Sequence, residues 1–125
     1  MVKHITKKEF IEEIYDFENE KDWKFKGSKP AMIDFWAPWC GPCGMVGPVV
    51  DELSNEFNGE VNFYKVNTDD EQDVSMAFGI RSIPSLLFIP VEGKPKMAAG
   101  ALPKQDLKRI IEKELLNSMP VYVKA

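Results

Sequence analysis

Six consecutive residues, Ala31-Met32-Ile33-Asp34-Phe35-Trp36, are apolar on both faces of an extended chain except for one carboxylate. A strand with two apolar faces needs cover above and below, and in a small protein helices supply it. The neighbouring sequence provides such helices. Val46, Val49, Val50, Leu53 and Phe57 recur at helical spacing up to a stop at Asn58-Gly59, with Pro48 inside the pattern as a kink. Upstream, Thr6-Lys7-Lys8-Glu9 reads as a capping box with Thr6 at N-cap and Glu9 at N3. Phe10, Ile11, Ile14 and Phe17 continue it as one apolar face, so this helix is expected to run to about residues 18–20.

Residues 21–30 are lysine-rich and read as a connection holding a short edge strand around Trp23 and Phe25. Residues 61–67 read as a strand, and 68–79 as a short helix with Val74, Ala77 and Phe78 inward and Gly79 just past its end. Residues 86–89 read as a strand, 91–93 as a turn, and 97–99 as a short strand ended by Gly100. Pro103 suits the first position of a last helix whose inner face is Leu107, Ile110, Ile111 and Leu115. A further short strand fits residues 3–5. Strands alternating with helices imply crossover connections and a parallel core, and the close final pair implies a hairpin. The expected architecture is α/β: a central mixed sheet of four to five strands flanked by helices on both faces. The 125 residues suit one domain, with a long N-terminal segment at 1–30 and a patternless tail at 118–125.

Several functions are disfavoured at once. A chain of this length buries roughly two-thirds of its unfolded surface and needs no disulfide staple or structural metal. A net charge of −4 supplies no basic surface for nucleic acid. No apolar run approaches the ~20 residues that span a bilayer. The opening Met-Val-Lys-His-Ile-Thr-Lys-Lys-Glu-Phe lacks an apolar leader core, which points to a cytoplasmic protein, or to a periplasmic one if a leader was removed. Cys40, Cys43 and His4 are too few to close a zinc site.

The informative segment is Trp39-Cys40-Gly41-Pro42-Cys43, between the doubly apolar strand and the following helix. A thiolate is the reactive form of cysteine, and a free thiol with a pKa of about 8.5 is mostly protonated at neutral pH. A sulfur at a helix N-terminus meets unsatisfied backbone N–H groups and the positive end of the helix dipole, which favour the anion. Cys40 is expected there, exposed in the turn, with Cys43 one turn inside the helix and more covered. Gly41 and Pro42 let a small ring close while restricting the backbone. Two-step dithiol exchange follows, in which Cys40 attacks a disulfide and Cys43 resolves the mixed disulfide.

The run from Asp34 to Cys43 resembles the active-site signature of thioredoxins. The resemblance continues through Pro48, Lys65-Val66-Asn67 with Asp69, Phe78-Gly79-Ile80-Arg81-Ser82-Ile83-Pro84-Ser85 and Gly100-Ala101, and covers about residues 4–116. It implies a thioredoxin fold and a protein-disulfide reductase without a bound cofactor, since the electrons reside on the two sulfurs. It implies Asp34 buried beneath Cys43 as general acid/base, Lys65 as its partner, and a cis peptide before Pro84. Trp39, Gly79, Ile80, Ile83, Pro84, Gly100 and Ala101 would form the docking surface for a client strand, with Trp36, Gly41, Pro42 and Pro48 in support. The implied partners are disulfide-containing clients and a flavoprotein thioredoxin reductase, with roles in electron transport and cell redox homeostasis. The protein is expected to be a monomer. An extracytoplasmic oxidant or isomerase, or a non-catalytic binding subunit on the same fold, are the alternatives. Gly44 stands where many relatives carry a basic residue, so a positive charge beside the thiolate is missing. Residues 18–29 make the N-terminal segment about ten residues longer than in a minimal thioredoxin, and the turn at 90–95 and the tail after 116 also differ.

Overall fold

The computed structural model describes residues 1–116; the tail expected at 118–125 lies outside the described residues. The elements run β1 (Val2–His4), α1 (Lys7–Glu13), β2 (Ala31–Trp36), α2 (Cys43–Glu56), β3 (Asn62–Asn67), α3 (Gln72–Ala77), β4 (Ser85–Ile89), β5 (Lys96–Ala99) and α4 (Lys104–Ile110), which continues into a π-helical turn at Ile111–Leu115. The five strands form one sheet in the order β1-β3-β2-β4-β5. β2 is central, parallel to β3 on one side and antiparallel to β4 on the other. The mixed sheet with helices on both faces is the architecture that the doubly apolar strand calls for.

Side-chain alternation along β2 divides the core in two. Met32 joins Phe63, Leu86 and Phe88 in a cluster closed by Val46, Val50 and Leu53 of α2 and by Leu107 and Ile111. Ile33 and Phe35 face the other way, into a cluster with Phe10, Ile14, Tyr64, Val66 and Val74. Asp34 has the parity of Met32, so its carboxylate lies on the face that α2 covers.

The N-terminal capping box forms as expected. Thr6 Oγ1 accepts the Glu9 N–H at 3.3 Å and the Glu9 carboxylate accepts the Thr6 N–H at 3.0 Å. Thr6→Ala is expected to cost about 1 kcal/mol, read as a lower urea midpoint at unchanged slope. The helix itself ends at Glu13, five residues before the expected stop. Asp16 is the reason: its side chain accepts the N–H groups of Glu18 and Asn19, both at 3.2 Å, and so turns the chain where a helix would need those donors.

No strand forms within 21–30. Trp23 and Phe25 instead stack with a 9° interplanar angle against the second core cluster, and the Lys26 N–H is taken by the Ile14 carbonyl at 2.8 Å. Ser75, not Ala77, accompanies Val74 in the buried face of α3, and Ala77 is exposed. Pro103 is the N-cap of α4 rather than its first helical residue; its ψ of 152° keeps it extended.

Candidate active site

The turn after β2, the start of α2 and the loop before β4 converge on Cys40 and Cys43. The chain leaves β2 at Trp36, turns through a Cys40 N–H to Ala37 carbonyl bond of 3.1 Å, and enters α2 at Cys43 with Pro42 as N-cap. Pro42 already has helical angles, φ −60° and ψ −26°, and lacks the N–H that would go unsatisfied there. Cys43 is thus the first residue of the helix rather than a full turn inside it, because the opening bonds run from Gly44 to Gly41 and from Met45 to Pro42. The sulfurs are joined as a disulfide with Cα atoms 5.3 Å apart.

The first donor of α2 points at the first sulfur: the Cys43 N–H donates to Cys40 Sγ at 3.2 Å. The first turn carries no acidic residue and no capping side chain, and space beside Gly44 is open. What the first turn of α2 offers Cys40 is therefore backbone N–H and helix dipole, with no side-chain charge of its own. Both cysteines are nearly covered, Cys40 at 9% and Cys43 at 6% exposure, so the expected contrast between an exposed and a covered sulfur is slight. Trp36 and Ile83 pack over the pair, and the Ile83 carbonyl oxygen lies 3.7 Å from Cys40 Sγ.

The Ile83-Pro84 peptide is cis. Pro84 is buried, and its carbonyl accepts the Gly100 N–H at 2.8 Å, which ties the start of β4 to the end of β5. Gly79 and Gly100 have φ of +62° and +97°, where a side chain would be strained.

Trp39 turns outward, 71% exposed, and its indole Nε1–H donates to both carboxylate oxygens of Asp69 at 3.1 and 3.2 Å. It borders a groove of about 290 Å³ with Thr68, Met76, Ile80, Arg81 and Ile83. Of the expected docking residues, Trp39, Ile80 and Ile83 meet in this groove; Gly79, Gly100 and Ala101 stand outside its lining, with Ala101 exposed. Met76, also strongly exposed, was not anticipated from the sequence, although its placement two residues after inward Val74 puts it on the opposite side of α3.

A second cleft of about 290 Å³ opens on the other side of the disulfide, lined by Trp36, Cys40, Cys43, Gly47, Pro48, Asp51 and Lys65 among others. Asp34 and Lys65 are register partners across β2 and β3. Asp34 is 1% exposed, and neither carboxylate oxygen accepts a hydrogen bond. Burial pushes its pKa up to about 6, with Lys65 pulling it down and Asp51 pushing it further up. A carboxyl poised there can exchange a proton near neutral pH. Pro48 sits on the exposed side of α2, which runs on through it. Among the described residues no group of three or more His, Cys, Asp or Glu is placed to hold a metal, and no helix is long and apolar enough to cross a membrane.

Comparison with known proteins converges on one family. The family model described as Thioredoxin matches residues 1–113. The chain is 46% identical over 112 residues to thioredoxin of Borreliella burgdorferi, covering 90% of this chain and 96% of that one. It is 49% identical over 86 residues to thioredoxin 1 of a Nostoc species, covering 69% and 80%. The M-type chloroplastic thioredoxin of Spinacia oleracea is 42% identical over 110 residues, covering 86% of this chain and 60% of that one. The crystal structure of chloroplastic thioredoxin z superposes with a TM-score of 0.74 at 24% identity, over 90% of this chain and 92% of that one, and so shares the fold.

Proposed function

Since the chain belongs to the thioredoxin family and is therefore a thiol-disulfide oxidoreductase of the protein-disulfide reductase kind, we propose that Cys40 is its attacking sulfur and Cys43 its resolving one. One observation carries the assignment: the first free N–H of α2 is bonded to Cys40 Sγ. A backbone donor and the positive helix end stabilise an anion on that atom more than on its neighbour.

The cycle balances on these groups. The Cys40 thiolate attacks a client disulfide, forming a mixed disulfide and expelling one client thiolate. Cys43 gives its thiol proton to the Asp34 carboxylate, and the resulting thiolate attacks Cys40 Sγ. The Cys40–Cys43 bond forms, the mixed bond breaks, and the second client thiolate leaves to be protonated. The client has gained two electrons and the protein has lost them. Lys65, beside Asp34 and lining the same cleft as Cys43, supports the charged form of that acid. Trp36, Gly41, Pro42 and Pro48 shape the turn and first turns of α2.

The client segment docks over Trp39, Ile80, Ile83 and Pro84, reaching Gly79, Gly100 and Ala101 at its margin. Its disulfide then lies beside the Ile83 carbonyl and Cys40 sulfur. A flavoprotein thioredoxin reductase restores the dithiol, the protein acts as a cytoplasmic monomer in electron transport and redox homeostasis, and residues 1–125 make one domain. Cys43→Ser is expected to accumulate client proteins as mixed disulfides through Cys40, read by non-reducing electrophoresis and peptide mapping. A stable adduct mapping to Cys43 in Cys40→Ser protein, with none on Cys40 in the converse variant, would reverse the roles.

A further inference from the structure

Positions 43, 47 and 51 are four apart on α2, so Cys43, Gly47 and Asp51 share one helix face, and the cleft beside the disulfide exposes all three together with Lys65. Gly47 matters here by what it lacks. A Cβ placed on it would lie 3.4 Å from Lys65 Nζ, so the ammonium rests over the bare backbone of residue 47. Lys65 thereby stands between two carboxylates: Asp34, its register partner on β2, and Asp51, one turn further along α2. No ion pair joins Lys65 to either one among the described residues, and the Asp34 oxygens accept no hydrogen bond. The ammonium is free to be drawn to whichever carboxylate carries charge.

We infer that Asp51 is a positioning residue for the resolving half of the reaction: it competes with Asp34 for the Lys65 ammonium and so tunes the uptake of the Cys43 proton. The inference rests on the acid/base role proposed above for Asp34. While Asp34 is neutral, Asp51 is the negative group facing Lys65 in the cleft. Once Asp34 ionises, the two carboxylates share one cation and repel each other. Asp51 thus disfavours the charged form of Asp34 twice, by its own charge and by its hold on Lys65. The direction agrees with the opposed effects of Lys65 and Asp51 on the buried acid. Among the described residues, the other elements around Asp34 bring no competing charge. β4 sets Leu86 in register with it, and the inward residues of α4 and its π-helical extension are Leu107, Ile111 and Leu115. His4 of β1 is in register with Lys65 and packs edge-on against Trp36. Besides Asp51, α2 contributes the Cys43 sulfur at this face, and its Glu52 and Glu56 are engaged by Lys104 and Lys108.

The test is Asp51→Asn in the reduced protein, with two readouts. The Asp34 side-chain carboxyl is titrated directly by NMR, and the pH profile of client release from the Cys40 mixed disulfide is measured in single turnover. Loss of Asp51 is expected to lower the Asp34 midpoint by at least ~0.3 pH unit, a twofold change in its ionisation equilibrium. The release profile should move by the same amount, and Asp51→Glu should restore both. An Asp34 midpoint that does not move in Asp51→Asn overturns the inference. A midpoint that moves while the release profile stays fixed confirms the coupling between the carboxylates and instead removes Asp34 from the proton step.

Discussion

Cys40→Ser is expected to lower the rate of insulin-disulfide reduction by at least ~10³-fold, to the rate of the added reductant alone. A serine hydroxyl is close in size to the thiol but cannot exchange with a disulfide, so the variant tests chemistry with little change in packing. Cys43 cannot take over. Its residue supplies the N–H that stabilises its neighbour's sulfur rather than receiving one. The fold and the groove at Trp39 are untouched by the change, so client binding should persist. A scaffold that merely holds disulfide proteins would behave oppositely: wild type and variant would show equal, background rates.

The second large effect concerns stability and pH. Asp34 has a folded-state pKa of about 6 against an ordinary value of 3.8, and its carboxylate has no hydrogen-bond partner. Below about pH 4 the group is neutral in both folded and unfolded chains and costs nothing through charge. Between those two values the folded state binds the proton more tightly, so stability falls as pH rises. Above about 6 the full penalty is present. At 1.36 kcal/mol per pH unit the gap amounts to about 3 kcal/mol, a large share of a domain's stability. Asp34→Asn has no charge to bury, so its stability relative to wild type should climb between pH 4 and 6 and level off above. Urea unfolding of the oxidised proteins at pH 4, 5, 6 and 7 reads this directly. A stability difference constant across that range would mean that the buried carboxylate titrates normally. The same variant should slow turnover, because Cys43 loses its proton acceptor.

Much of this arrangement can be read from residue order, and the parts that cannot have physical reasons. The run at 31–36 announces a central strand because only full burial tolerates apolar side chains on both faces, and Asp34 stands out there for the same reason. Thr6 and Glu9 mark a helix start because their bonds are local. The end of that helix is local too, but it depends on Asp16 turning back onto Glu18 and Asn19, a competition that the continuing apolar stripe through Phe17 conceals. Trp23 and Phe25 alternate like strand residues, yet Trp23 packs on Tyr15 and Phe78, neighbours that only the folded chain brings together, and Phe25 stacks on Trp23. The outward turn of Trp39 depends on Asp69, thirty residues away. The sequence places Cys40 in the open, but Trp36 at the end of β2 and Ile83 in the loop before β4 cover it. Asp51 left a trace in the four-residue spacing from Cys43 through Gly47, but its meaning depends on where β3 places Lys65.

The exchange begins from an anionic Cys40 held by the first turn of α2. The direct measurement is thiolate absorbance near 240 nm, followed against pH in the reduced Cys43→Ser variant, where residue 40 is the one titrating thiol. The midpoint should fall clearly below the ~8.5 of a free cysteine. A midpoint at or above that value would contradict the central claim.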